Sequence, residues 1–109
     1  LFRSFMYGIA KAGTVQFTRA LAMTYARDNI RVTGIAPGAF PHFLEPGVPN
    51  PRGDAQAAGR TGIDAEIGPL AVFLASEASD YLSGASYLID GGSTSAGVLP
   101  AGLVPLVEG

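Results

Sequence analysis

Tyr7 and Lys11 stand four residues apart in a run with helical patterning, and that spacing puts a phenol and an ammonium on one face of a helix. A phenol ordinarily titrates near ~10, and a cation held close favours its ionised form, so the pair has the makings of a base near neutral pH. The same spacing also arises by accident on helix surfaces, where the lysine stem merely covers the ring. Two features weigh against accident. Lys11 is the only lysine in the chain, and it interrupts a strongly apolar run from Phe5 to Ala26 in which a charge needs a reason.

The element that must carry the pair is a helix over residues 4–27, in which Ala10, Ala12, Ala20, Leu21, Ala22, Met23 and Ala26 are good helix formers. Its apolar positions go almost all the way round. Phe5, Ile9, Phe17, Leu21 and Tyr25 follow three- and four-residue steps, Met6, Val15 and Met23 point elsewhere, and only Gln16, Arg19 and Arg27 leave a narrow polar edge. Such a pattern predicts burial on two sides, one against a sheet and the other against something outside this chain, most simply a second copy. Gly13 is expected to permit a close approach there. Asp28-Asn29 ends the helix, and Ile30 to Ala36 reads as a β-branched strand closed by Pro37-Gly38. A helix followed this closely by a strand is the second half of a β-α-β unit and predicts a parallel sheet, with ligands at the carboxyl ends of its strands.

From Pro37 to Arg60, five prolines and four glycines predict a long loop of the kind that forms lids, with a helical turn over 54–58. His42 in this loop is either a ligand contact or an ordinary exposed histidine. Asp64 is placed to cap a helix over 65–76 with Ile67, Leu70, Ala71 and Leu74 as its apolar stripe, and Pro69 predicts a kink or a late start. A short turn over 77–81, a stop at Gly84, a second strand over 85–89 and a turn at Asp90-Gly91-Gly92 follow. The apolar tail to Gly109 is expected to fray or to dock on a partner.

Composition removes several classes of function. With 48% hydrophobic and 15% charged residues in 109, the chain reads as a folded piece of at most one domain. A net charge of −2 without a basic cluster argues against nucleic acid. With no cysteine and one histidine, neither disulfides nor a zinc site is expected. No run approaches the ~18 uninterrupted apolar residues of a membrane span, so a soluble, cytoplasmic protein is expected. Leu1 stands where an initiator methionine would be, and no signal peptide is recognisable, which predicts a portion of a longer chain.

Taken in order, Tyr7-x-x-x-Lys11, Asp28-Asn29-Ile30-Arg31-Val32, Ile35-Ala36-Pro37-Gly38, Arg60-x-Gly62, Glu66-Ile67, Phe73-Leu74-Ala75-Ser76, Gly84 and Ile89-Asp90-Gly91-Gly92 resemble the C-terminal half of a short-chain dehydrogenase/reductase. The resemblance covers almost all of residues 4–92. It implies an α/β fold, a partial Rossmann-like doubly wound parallel sheet comprising the last two strands and their helices. Residues 1–109 would be the C-terminal part of a single NAD(P)-binding domain whose glycine-rich N-terminal half is absent.

The resemblance further implies a hydride transfer between NAD or NADP and a small alcohol or carbonyl substrate. Tyr7 would exchange the proton, and Lys11 would lower the phenol pKa and hydrogen-bond the nicotinamide ribose. The loop at Pro37 and Gly38 would fold against the nicotinamide carboxamide. Phe40 stands where an aliphatic residue usually offers its backbone, and His42 where the family commonly has threonine or serine. Arg60, Gly62, Glu66, Asp90 and its two glycines are assigned to turns, caps and ion pairs. The family's catalytic serine would precede this chain, so Ser4 is not it. Phe40, Phe43, Leu44 and Val48 suggest an apolar wall for the substrate, and the intact enzyme would be a homodimer or homotetramer through the 4–27 helix. Two other readings stand beside this one: an inactive remnant lacking the phosphate loop, and a non-enzymatic module that docks through the 4–27 helix.

Overall fold

The structure, a computed structural model, describes residues 2–40 and 56–98, with side-chain surroundings for 5–40 and 56–95. The alanine-rich apolar run forms helix α1 (Phe2–Tyr25), within two residues of its expected bounds. A 3-10 turn, Ala26–Asp28, tightens its end, and Asn29 closes it at φ 59°, a left-handed conformation that asparagine tolerates better than most residues. The hydroxyl of buried Thr18 donates to Thr14 O at 2.9 Å, so its polarity is satisfied inside the helix.

Within this chain α1 buries one narrow strip, and the side expected to meet something outside the chain stays open. Among its described side chains only Thr18 and Ala22 are buried, while Phe5, Ile9 and Phe17 are largely exposed and Met23 is 84% exposed. A Cβ added at Gly13 would meet nothing within 4 Å beyond its own helix backbone. The physical reason is the size of the sheet. Two short strands offer too little surface to cover a helix that is apolar nearly all round.

The sheet consists of β1 (Gly34–Pro37) and β2 (Ser86–Ile89). Hydrogen bonds from Gly34 N–H to Ala85 O (3.0 Å) and from Gly38 N–H to Ile89 O (2.9 Å) step forward together along both chains, so the strands are parallel. The strand expected from Ile30 begins only at Gly34. Upstream, Val32 pairs instead with the bend before β2, its N–H donating to Ser83 Oγ (3.1 Å) and its carbonyl accepting from Gly84 N–H (2.7 Å). The strands pass closely at Gly34, where a Cβ would lie 2.6 Å from Ser86 Oγ and 3.3 Å from Ser86 Cβ.

Helix α2 (Asp64–Ala75) is continuous through Pro69 and does not start late. Its cap is also not the expected one. Asp64 is already the first helical residue, and Glu66 reaches back to accept the Ile63 N–H at 3.0 Å, the acidic half of a capping box. Along the stripe, Leu74 is buried, Ile67 and Leu70 are half-buried, and Ala71 is exposed. A 3-10 turn, Glu77–Ser79, follows α2, and a second, Ser93–Val98, follows β2.

Arg31 explains why Ile30–Thr33 is not strand. Its Nη1 donates to Leu74 O (2.9 Å), Ser79 O (3.0 Å) and Ser79 Oγ (2.8 Å), and its Nη2 donates to Ser76 O (3.1 Å). A helix leaves its last carbonyls unpaired, and a planar five-donor fork is suited to collecting them. The side chain thereby draws its backbone toward the end of α2. Ser79 is 1% exposed, and its hydroxyl donates within the same knot to Leu74 O (2.9 Å).

The chain groups into two compact units, Leu1–Ala36 with Gly68–Leu88, and Pro37–Ile67 with Ile89–Gly109. The architecture is α/β, with parallel strands and helices.

Candidate functional site

In the first unit, α1 places Tyr7 and Lys11 together. Lys11 Nζ lies 5.3 Å from the centroid of the Tyr7 ring, within the range of a cation–π contact. The ring is 66% exposed. Among the described residues neither the phenolic oxygen nor the ammonium has a hydrogen-bond partner, so both can turn to a ligand. The ammonium carries three donors and no acceptor, and the phenol both donates and accepts. Such a set can hold a vicinal diol and exchange a proton with a neighbouring hydroxyl or carbonyl oxygen.

In the second unit, Pro37 is the last residue of β1, and Gly38 continues the ladder through its bond to Ile89 O. A Cβ on Gly38 would meet Asp90 Cβ at 2.8 Å and its Cα at 2.9 Å, so close backbone passage explains this glycine. Ala39 O accepts from Gly62 N–H at 2.9 Å, and the Phe40 ring lies where a Cβ of Gly62 would be. His42 lies outside the described residues, as do Phe43, Leu44, Val48 and the start of the expected turn over 54–58. The described part of that stretch closes a turn through Gly59 N–H to Gln56 O at 2.9 Å.

Arg60 and Glu66 form a two-pronged pair, Nη1 to Oε2 at 2.9 Å and Nη2 to Oε1 at 2.6 Å. The Arg60 hydrogen bonds, seconded by the Ile63 N–H, hold the Glu66 carboxyl down at about 2 from an ordinary 4.5. A depressed carboxyl stabilises the fold above its unfolded pKa and stops doing so as pH falls through the folded one. The stability gap between wild type and Glu66→Gln is therefore expected to be constant above about pH 4.5 and to close toward pH 2, read by urea unfolding across pH. A gap independent of pH would sink this assignment. The pair is open to solvent, so added salt is expected to narrow the gap as well.

Asp90 performs the turn work expected of it. Its carboxylate accepts from Gly92 N–H (2.9 Å), Thr94 N–H (2.8 Å) and Thr94 Oγ1 (2.7 Å), and the Thr94 bonds chiefly hold its pKa below the usual value. Gly91 and Gly92 take φ of 60° and 85°. No helix among the described residues is long and apolar enough to cross a membrane.

Sequence reasoning placed Gly62 among structural residues without seeing its contact with Phe40. The Arg60-x-Gly62 spacing was visible, but nothing in it names a partner across the loop. Ser93 was not singled out at all. Its hydroxyl donates to Gln56 Oε1 at 2.8 Å and accepts from Ala57 N–H at 3.3 Å, tying the segment after β2 to the turn at 56–59.

The family model described as enoyl-(acyl carrier protein) reductase matches residues 3–94. The chain is 38% identical over 95 residues to dehydrogenase/reductase SDR family member 4 of Caenorhabditis elegans, covering 79% of this chain and 36% of that protein. It is 36% identical over 96 residues to 3-oxoacyl-(acyl-carrier-protein) reductase FabG of Chlamydia pneumoniae, covering 81% of this chain and 37% of that one. A solved short chain dehydrogenase family protein from Francisella tularensis matches at TM-score 0.73 and 27% identity, over 84% of this chain and 44% of its own. The chain thus spans a little over a third of the length of these curated relatives. A family match running from α1 through β2, with the tyrosine and lysine side by side on α1, means that the chain belongs to the short-chain dehydrogenase/reductase family.

Proposed function

We propose that this chain supplies the acid/base couple of an NAD(P)-dependent oxidoreductase acting on an alcohol or carbonyl carbon, within a protein of its relatives' length. The observation that carries the reading is Lys11 Nζ over the Tyr7 ring, with the phenolic oxygen free among the described residues. The names of the relatives, dehydrogenases and reductases, support the reaction class.

When bound, a nicotinamide dinucleotide, NAD or NADP, supplies or accepts the hydride. The donor set fits it: three N–H groups on Lys11 and a phenol beside them suit ribose hydroxyls. In the reducing direction Tyr7 Oη donates its proton to the carbonyl oxygen as that oxygen gains negative charge. In the oxidising direction the phenolate takes the hydroxyl proton of the alcohol. Lys11 stabilises the phenolate by its charge and orients the ribose. Pro37, Gly38, Phe40 and His42 form the segment assigned to the nicotinamide end. The exposed apolar side of α1, including Phe5, Ile9 and Phe17, supports a homodimer or homotetramer.

The test is Lys11→Met in the full-length protein. Losing charge-assisted bonds of about 1.5–3 kcal/mol predicts NADH or NADPH dissociation constants raised about 10- to 100-fold by fluorescence titration. Circular dichroism is expected to be unchanged, because the side chain has no hydrogen-bond partner within the described residues. Unaltered dinucleotide affinity in a folded variant would overturn the assignment of Lys11.

A further inference from the structure

We propose that Gly62 is a positioning residue for the Pro37–Phe40 segment, acting through the Ala39 carbonyl and the Phe40 ring that it holds. The proposal rests on the reading above that this segment faces the dinucleotide, and it deepens that reading by naming what fixes the segment in place.

Three successive residues of the segment are fastened separately. Gly38 is tied to β2 through Ile89 O and by its close passage over Asp90. Ala39 is tied by Gly62 N–H to its carbonyl at 2.9 Å. Phe40 has its ring laid on the bare Cα of Gly62, in the space a side chain there would fill. Two of the three fastenings therefore converge on one glycine.

Gly62 is itself gripped on both sides. Arg60 Nη1 donates to Thr61 O at 3.2 Å, and Glu66 accepts both from Arg60 and from Ile63 N–H. Thr61 is buried. The residues flanking Gly62 are thus clamped to the first turn of α2, and the glycine presents a fixed flat surface to the ring. Phe40, Arg60, Glu66 and Ala58 also border a cavity of about 150 Å³. A methyl group added at position 62 would push the ring toward that space rather than break the clamp, so the damage falls on the geometry of the segment.

The experiment is a double-mutant cycle between Gly62→Ala and Phe40→Ala in the full-length enzyme, with steady-state kinetics for dinucleotide and substrate. Gly62→Ala is expected to raise the dinucleotide KM about tenfold with kcat within about twofold, because uniform binding is lost and the reacting atoms are untouched. In the Phe40→Ala background the same substitution is expected to change the dinucleotide KM by less than about twofold, since the clash is gone.

An unchanged KM in folded Gly62→Ala overturns the positioning role, and so does an equal rise in both backgrounds. If Gly62→Ala does not fold, Phe40→Leu carries the test: a raised dinucleotide KM at unchanged thermal midpoint supports the proposal, and an unchanged one sinks it. A wild-type enzyme without NAD(P)H turnover defeats the underlying reading. Wild-type turnover with insensitive Gly62→Ala kinetics defeats this proposal alone.

Discussion

Tyr7→Phe in the full-length enzyme is expected to lower kcat about 10²- to 10⁴-fold while leaving the fold intact. The substitution removes one oxygen and keeps the ring on which Lys11 Nζ rests at 5.3 Å, so the cation–π contact survives. The phenol makes no hydrogen bond within the described residues and the ring is exposed, so no buried group loses a partner. The effect on kcat should therefore fall on proton exchange. Turnover within about tenfold of wild type would show that another group handles the proton and would favour a non-enzymatic role for α1.

The largest effect on stability is expected from Arg31→Met, a loss of about 3 kcal/mol in urea unfolding with an unchanged denaturant slope. One guanidinium serves Leu74 O, Ser76 O, Ser79 O and Ser79 Oγ, and its removal takes four charge-assisted bonds from the end of α2, leaving the carbonyls only their bonds from the buried Ser79 and from Leu82 N–H. The Asp80 carboxylate contributes little, being 3.7 Å away and 78% exposed. Arg31→Lys is expected to rescue only a minor part, since a single ammonium cannot reproduce the fork. A loss below about 1 kcal/mol would mean that water replaces the guanidinium without cost.

These two residues differ in how far the sequence discloses them. Tyr7 and Lys11 are neighbours by helical period alone, so their meeting could be read from four residues of spacing, and the same local logic located α1, the parallel strands and the Asp90 turn. Arg31 sits among β-branched residues and reads as part of a strand. Its partners lie 43 to 48 residues away, beyond the reach of any periodicity. The cap of α2 was misplaced for a related reason: Asp64 looks like a cap, but the helix begins at it, and Glu66 does the work from three residues past Ile63. The apolar pattern of α1 predicts one side on the sheet and the other against something outside this chain, and within the chain only the strip at Thr18 and Ala22 is covered. At Phe40 the spacing marked a position in the loop, whereas its fit against Gly62 depends on a turn that brings a distant glycine under the ring.

The knot at Arg31 also bears on how such a chain diversifies. Its contact with Leu74 closes a loop of 43 residues that contains the Pro- and Gly-rich stretch from Pro37 to Arg60. Closure entropy grows only with the logarithm of loop length, so even doubling that loop costs about 0.6 kcal/mol, well under what the guanidinium contributes. Lengthening the stretch is therefore cheap in closure entropy. One arginine lets the sequence between drift in length while the end of α2 stays fastened.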